Sequence, residues 1–225
     1  MSHPVEIDPI LLSKVSKPAR YVGGEWNSVV KDHDAVKLTV AYCFPDVYEV
    51  AMSHLGLRIL YALLNERPDV AAERVYAPWP DMEEVMRSQG YPLFSLETKT
   101  PVRDFDMVGF TLQYEMSFTN ILNMLDLAGI PLFAKDRGDD MPLVAAGGPC
   151  AYNPEPLAPF VDAFQIGDGE EVMIEFTDMY RQAKREGWSK EEFLRKVCHI
   201  PGVYVPSLYE VTYNEDGTVK AVTPK

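Results

Sequence analysis

Residues 106–129 read DMVGFTLQYEMSFTNILNMLDLAG, and this stretch decides the fold. After the leading Asp106, residues 107–112 (MVGFTL) are apolar or β-favouring, and the polar turn QYEMS breaks the run. Residues 117–128 then place apolar side chains at helical spacing, and Gly129 closes them. A short apolar run bounded by turn residues predicts a strand covered on both faces, and a glycine past the last helical turn supplies a C-cap. A strand followed by a helix that returns to another strand is the repeating unit of a parallel sheet.

The same alternation extends outward in both directions. Upstream, residues 37–44 (KLTVAYCF) predict a strand ended by Pro45-Asp46, and Leu55, Ile59, Leu60, Leu63 and Leu64 predict a helix behind Ser53 as N-cap, stopped by Pro68. Residues 73–77 predict a short strand, 81–89 an amphipathic helix closed by Gly90, and 92–96 an extended piece with no assigned partner. Downstream, 143–146 and 163–166 predict strands, 170–185 and 190–199 helices, and 203–222 two β-like runs about the turn Asn214-Glu215-Asp216-Gly217. The expected fold is therefore α/β: a doubly wound, mainly parallel, five-stranded flavodoxin-like sheet. Residues 1–36 form an N-terminal arm with one helical turn, 37–186 the α/β domain, and 187–225 a short helix and a C-terminal β-hairpin.

Composition narrows the function classes. At 225 residues and 47% hydrophobic content, the chain suits one substantial domain, and a net charge of −13 disfavours binding to a nucleic-acid backbone. No apolar run reaches the roughly 18–20 residues that span a bilayer, and the start MSHPVEIDP has no signal-peptide core, so a cytoplasmic location without membrane contact is expected. Cys43, Cys150 and Cys198 are too widely spaced for a cluster motif and odd in number, which predicts reduced thiols.

In an open parallel sheet, ligands bind beyond the carboxyl ends of the strands, so the loops there carry the candidates. Gly147-Gly148-Pro149 follows a strand directly, and two glycines let backbone approach a flat or phosphate-bearing ligand; a tight turn needing positive φ explains them equally. Gly167-Asp168-Gly169-Glu170-Glu171 offers Glu170 as a polar contact, with favourable placement at a helix start as the alternative. His54 opens a helix in the first such loop, either as a chemical group or as a cap. Gln113, Tyr114 and Glu115 cluster where an apolar strand ends, suited to ligand hydrogen bonds or to simple surface termination.

Several long blocks taken together, FPDVYEVAMSHLG (44–56), LGLRILYALLNER (55–67), ERVYAPWPDME (73–83), FDMVGFTLQYEMSFTNILNMLDLAGIPL (105–132), AAGGPCAYNPEPLA (145–158) and IGDGEE (166–171), resemble the N-terminal, cobalamin-binding-like region of radical S-adenosylmethionine (SAM) proteins. The opening LLSKVSKPARYVGGEWNSVVK (11–31) resembles that family's leader. The resemblance implies a 4Fe-4S cluster and S-adenosylmethionine held by a CxxxCxxC motif in a C-terminal radical SAM core. This chain has no such motif, so that core is expected as a partner beyond it, in the full-length protein.

The wider cobalamin-domain family carries three ligand loops. For the first, DxHxxG, Asp46 fits, but Tyr48 stands in the histidine position and Ala51 in the glycine position, and His54 does not restore the spacing. For the second, SxL, Thr111 takes the serine position and Gln113 the leucine position, while the third, Gly-Gly, is matched by Gly147-Gly148. The resemblance thus implies cobalamin held without a protein histidine on cobalt, with Gly147, Gly148 and Thr111 lining its cleft and Ser53, His54, Gln113 and Glu170 beside them. Two rival readings remain: a cobalamin-free domain of the same fold that recognises substrate or partner, and a self-sufficient enzyme pairing His54 with Glu49 or Asp46 as acid and base.

Overall fold

The computed structural model describes residues 4–225. Helix α1 (Pro9–Leu12) lies in the arm, followed by β1 (Leu38–Phe44), α2 (Tyr48–Ala51), α3 (Leu55–Asn65), β2 (Val70–Tyr76) and α4 (Pro80–Gln89). Next come β3 (Met107–Thr111), α5 (Phe118–Leu127), β4 (Leu143–Gly147), β5 (Ala163–Gln165), α6 (Gly169–Glu186) and α7 (Lys190–Val197). Strands β6 (Val203–Tyr204), β7 (Tyr209–Tyr213) and β8 (Val219–Pro224) finish the chain.

The main sheet has the order β2-β1-β3-β4-β5-β6, in which β1 to β5 are mutually parallel. The five-stranded parallel core expected from the sequence is present, and β6 adds a sixth, antiparallel edge strand. That edge strand takes Val203 and Tyr204 out of the hairpin expected over 203–222, and the hairpin is the separate ribbon β7–β8. The expected strand over 73–77 begins earlier, at Val70, because Ala71 and Ala72 also pair with β1 and are buried.

Side-chain alternation along the strands sorts the core into two layers. Cys43, Val108, Phe110 and Val144 face α4 and α5, whereas Tyr42, Met107, Leu143 and Ala163 face α3, α6 and α7. Helices on both faces make the sheet doubly wound. In α3, Leu57, Tyr61 and Leu64 recur on one side and are buried; truncating a leucine packed in this way costs about 2–5 kcal/mol. Because β1 leads to β2 on one side while β3, β4 and β5 follow on the other, the connections diverge between β1 and β3. That divergence is the topological switch point, where the ends of the strands leave a crevice.

The arm is strapped along the β2 side of the sheet. Lys31 Nζ donates to the carbonyls of Asn65, Arg67 and Val70 at 2.6–2.9 Å, so it satisfies orphan acceptors past the end of α3. His33 Nε2 meets Glu73 Oε1 at 2.7 Å, and Arg74 pairs with Glu97 at 2.6 Å and with Glu25 of the arm at 3.4 Å. The segment left without a partner in the sequence reading is tied to the same region, since Leu96 N donates to Arg74 O and Ser95 N to Thr100 O.

Candidate functional site

A cleft of about 310 Å³ opens at the switch point, between α3 and α6 and over the carboxyl halves of β1, β3 and β4. Its floor follows from strand register. Tyr42 stands opposite Gly109, Gly109 opposite Ala145, and Ala145 opposite Ala163, while Thr111 stands opposite Gly147 in the next row. On this face the central strands present a hydrogen, a methyl group and a hydroxyl; on the reverse face the same strands carry Val108, Phe110 and Val144. The hollow is thus written into one face only. Leu60 of α3 and Met173 of α6 form apolar sides, and Gln165 joins Thr111 among the few buried polar groups.

Residues Gly147, Gly148, Thr111, His54, Gln113 and Glu170 all line this cleft. Gly147 and Gly148 have different reasons to be glycine. At Gly148, φ is 109°, and an added Cβ would lie 2.9 Å from Leu112 O, so the turn itself requires glycine there. The turn is pinned by Leu112 N donating to Gly147 O at 2.7 Å and Cys150 N to Leu112 O at 3.1 Å. Gly147 has no positive φ, and a Cβ there would sit 3.3 Å from Gln165 O, pressing on the backbone of β5 rather than straining the turn.

Thr111 Oγ1 accepts from Gln113 Nε2 at 2.6 Å, which holds the amide over the end of β3. Burial, and then the Glu170 carboxylate, push the Tyr42 phenol up, so Tyr42 stays protonated and neutral on the floor. Glu170 lies at the exposed mouth, in the first turn of α6, and no lysine or arginine is among the lining residues.

Ser53 departs from its expected role. Its hydroxyl donates to Val50 O at 2.9 Å, it is exposed outside the cleft lining, and the N-cap of α3 is His54. His54 Nδ1 accepts from Leu57 N at 3.1 Å, so in the neutral ring the proton belongs on Nε2. A ring in that state has no lone pair on Nε2 to give a metal. The carboxylates that the sequence offers as its partners are bound elsewhere: Glu49 pairs with Lys17 and Arg20, and Asp46 accepts from Tyr114 at 2.5 Å and from Val47 N at 2.7 Å. The structure brings neither to His54, and the acid–base pairing is not formed.

Tyr42, Gly109, Ala145, Gln165, Leu60 and Met173 were not singled out from sequence. Gly109 carried a usable signal, since a glycine inside an apolar strand marks close approach of a ligand or of backbone. Among the described residues, no group of three or more His, Cys, Asp or Glu side chains is placed to hold a metal ion, and no helix is long and apolar enough to cross a membrane.

The family model described as radical SAM proteins, N-terminal, matches residues 56–206, which run from the start of α3 to just past β6 and include most of the cleft. The chain belongs to this family. A relative, the uncharacterized protein MJ0966 of Methanocaldococcus jannaschii, is 26% identical over 140 residues, covering 60% of this chain and 25% of the relative. The chain thus spans about a quarter of the length of that curated relative. Among solved structures, the radical S-adenosylmethionine methyltransferase TsrM from Kitasatospora setae, with tryptophan substrate and a SAM analog bound, matches 80% of this chain and 29% of its own, with 16% identity and a TM-score of 0.45.

Proposed function

We propose that this radical SAM N-terminal domain is a cofactor-holding module, and that its cleft takes the flat nucleotide tail of a cobalamin whose cobalt receives no protein histidine. The single observation that carries the reading is the one-sided hollow made by Gly109, Ala145, Thr111 and Gly147 at the switch point. Cavities of about 300–1,000 Å³ hold drug-sized ligands, so about 310 Å³ admits a planar heterocycle but not a macrocycle.

Residues Gly147 and Gly148 would bring backbone close to the ligand, Thr111 and Gln113 would hydrogen-bond it, and Gln165 would meet it from β5. His54 would act as helix cap and cleft wall, and Glu170 as a polar contact at the mouth. Bound cobalamin supplies group-carrying or radical chemistry at its cobalt. The residues of this chain bind, orient and exclude water, and the reductive cleavage of S-adenosylmethionine belongs to a C-terminal core with its own 4Fe-4S cluster.

Titration of the purified chain with hydroxocobalamin tests the reading. Binding predicts a shifted visible spectrum and, at a hundredfold excess over Kd, about 2.7 kcal/mol of added stability. An unchanged spectrum and an unchanged Tm at saturating ligand would overturn it.

The rival, a cobalamin-free recognition module, draws support from the first loop, where Tyr48 hydrogen-bonds Glu25 and Asp46 holds Tyr114 instead of standing open to a ligand. That module would bind no cobalamin and would keep its cleft for a peptide or substrate side chain. Catalysis by this chain alone has no comparable support.

A further inference from the structure

Three polar side chains of the cleft have hydrogen bonds left to make. Tyr42 is 5% exposed, Thr111 6% and Gln165 6%, and all three line the cleft. The Tyr42 hydroxyl has no hydrogen-bond partner among the described residues, and Glu170 acts on it only through space. Thr111 Oγ1 accepts from Gln113 Nε2, which leaves the hydroxyl proton of Thr111 without an acceptor among the described residues. The Gln165 side-chain amide has one contact there, Nε2 to Met173 Sδ at 3.9 Å, so its Oε1 is unspent.

Buried polar groups in folded proteins are hydrogen-bonded, and an exception asks for a cause. Away from the cleft the rule is kept. The buried hydroxyls of Thr39, Ser117 and Thr177 donate to Asp106 Oδ2, Tyr114 O and Met173 O at 2.8–3.1 Å. The unspent hydroxyls of Tyr42 and Thr111 therefore mark the cleft as a place where hydrogen bonds are held open for a ligand.

Water serves such groups while a cleft is open, and a ligand that displaces it without replacing its hydrogen bonds binds less well. Dimethylbenzimidazole, the tail base of hydroxocobalamin, ends in methyl groups and ring C–H, which satisfy none of them. A heterocycle edged with an amine and ring nitrogens, such as adenine, offers a donor to Gln165 Oε1 and acceptors to the Tyr42 and Thr111 hydroxyls.

We propose that Tyr42, with Thr111 and Gln165, selects the tail base, so that the cleft prefers a cobamide ending in a polar-edged heterocycle over one ending in dimethylbenzimidazole. The inference rests on the reading of this cleft as the site of a cobalamin tail, and it adds which tail is chosen. Discrimination of this kind arises because the wrong ligand leaves the site's own polar groups unpaired. Tyr42 carries the largest share, since its hydroxyl can both donate and accept and no neighbour takes either role.

Parallel titrations of the purified chain with hydroxocobalamin and with its adenine-tailed counterpart test the preference, each as the dicyano complex, in which cyanide holds both axial positions of cobalt and frees the tail. About tenfold tighter binding of the adenine form is expected, equivalent to about 1.4 kcal/mol. In Tyr42→Phe that ratio should collapse toward one, whereas a merely structural role for the tyrosine would weaken both ligands alike and leave the ratio intact. The Tm of the ligand-free variant should not fall, because the hydroxyl it loses has no partner in the protein. Equal affinities, or tighter binding of the dimethylbenzimidazole form, would overturn the preference and leave the cofactor reading standing. Binding of neither ligand would overturn both. A tenfold ratio kept in Tyr42→Phe, or a lowered Tm in the ligand-free variant, would overturn the assignment to Tyr42.

Discussion

Tyr42 and Gly109 stand opposite one another in neighbouring parallel strands, and a Cβ added at Gly109 would sit 3.4 Å from Cδ2 of the tyrosine ring. That is ordinary contact, so the position tolerates a side chain, and the space it would enter is the cleft. Gly109→Val should therefore leave the far-UV circular dichroism unchanged and the stability within about 1–3 kcal/mol of the parent. Hydroxocobalamin affinity should fall by at least about tenfold, equivalent to about 1.4 kcal/mol. Retained affinity would mean that the ligand does not use this floor.

Gly148 behaves differently. With φ at 109° and Leu112 O only 2.9 Å from an added Cβ, Gly148→Ala forces both an unfavourable backbone region and a collision with main chain. A loss of about 1–3 kcal/mol is expected, read as a Tm lowered by about 2–4 °C per kcal/mol. Loss of ligand binding in a Gly148 variant consequently reports on the fold first, and Gly109 is the cleaner probe of the cleft.

Arg74 and Glu97 are paired at 2.6 Å with side-chain exposures of 2% and 0%. Burial pushes the Glu97 carboxyl up despite the neighbouring guanidinium, and Arg74 gains further contacts from Ser28 and from the face of Tyr61. Removing Glu97 leaves the buried Arg74 with only its longer pair to Glu25 at 3.4 Å. Glu97→Ala should cost about 3–5 kcal/mol in urea unfolding, whereas replacing both residues with apolar ones should cost much less.

The arm carries a pH dependence through His33. Its hydrogen bond to Glu73 raises the imidazole pKa against the opposing effect of burial, and the nearby Asp106 and Asp32 act in the same direction as Glu73. A folded-state pKa above the unfolded value contributes stability that is fully present below about 6.5 and is lost as pH rises through the folded value. Unfolding midpoints should fall as pH rises above about 6.5, and His33→Gln should flatten that slope. A parent and variant with parallel profiles would rule out the pair as its source.

How far the sequence disclosed all this depends on which residues carried the message. Residues 106–129 announced strand, turn and helix correctly because their apolar spacing is a local property. Val203 and Tyr204 fell to the hairpin in the sequence reading because two residues are too few to show a period of their own, and they are recruited by the edge of β5, a distant neighbour. His54 displaced Ser53 as the cap because its ring nitrogen, one residue later, reaches Leu57 N, which depends on the entry angle of α3. The cleft was half legible. Gly147-Gly148 stood out as a pair, but Tyr42, Gly109 and Ala145 become a floor only when three strands separated by many residues come into register.

A cleft whose lining includes a carboxylate at the mouth and no lysine or arginine has a consequence for selectivity among nucleotide-like ligands. Triphosphates and dinucleotides carry several negative charges close to their bases, and here those charges would meet Glu170 without a counter-cation. A heterocycle on a single phosphodiester meets far less repulsion. The absence of basic side chains from the lining would thus act as a filter against polyanionic ligands.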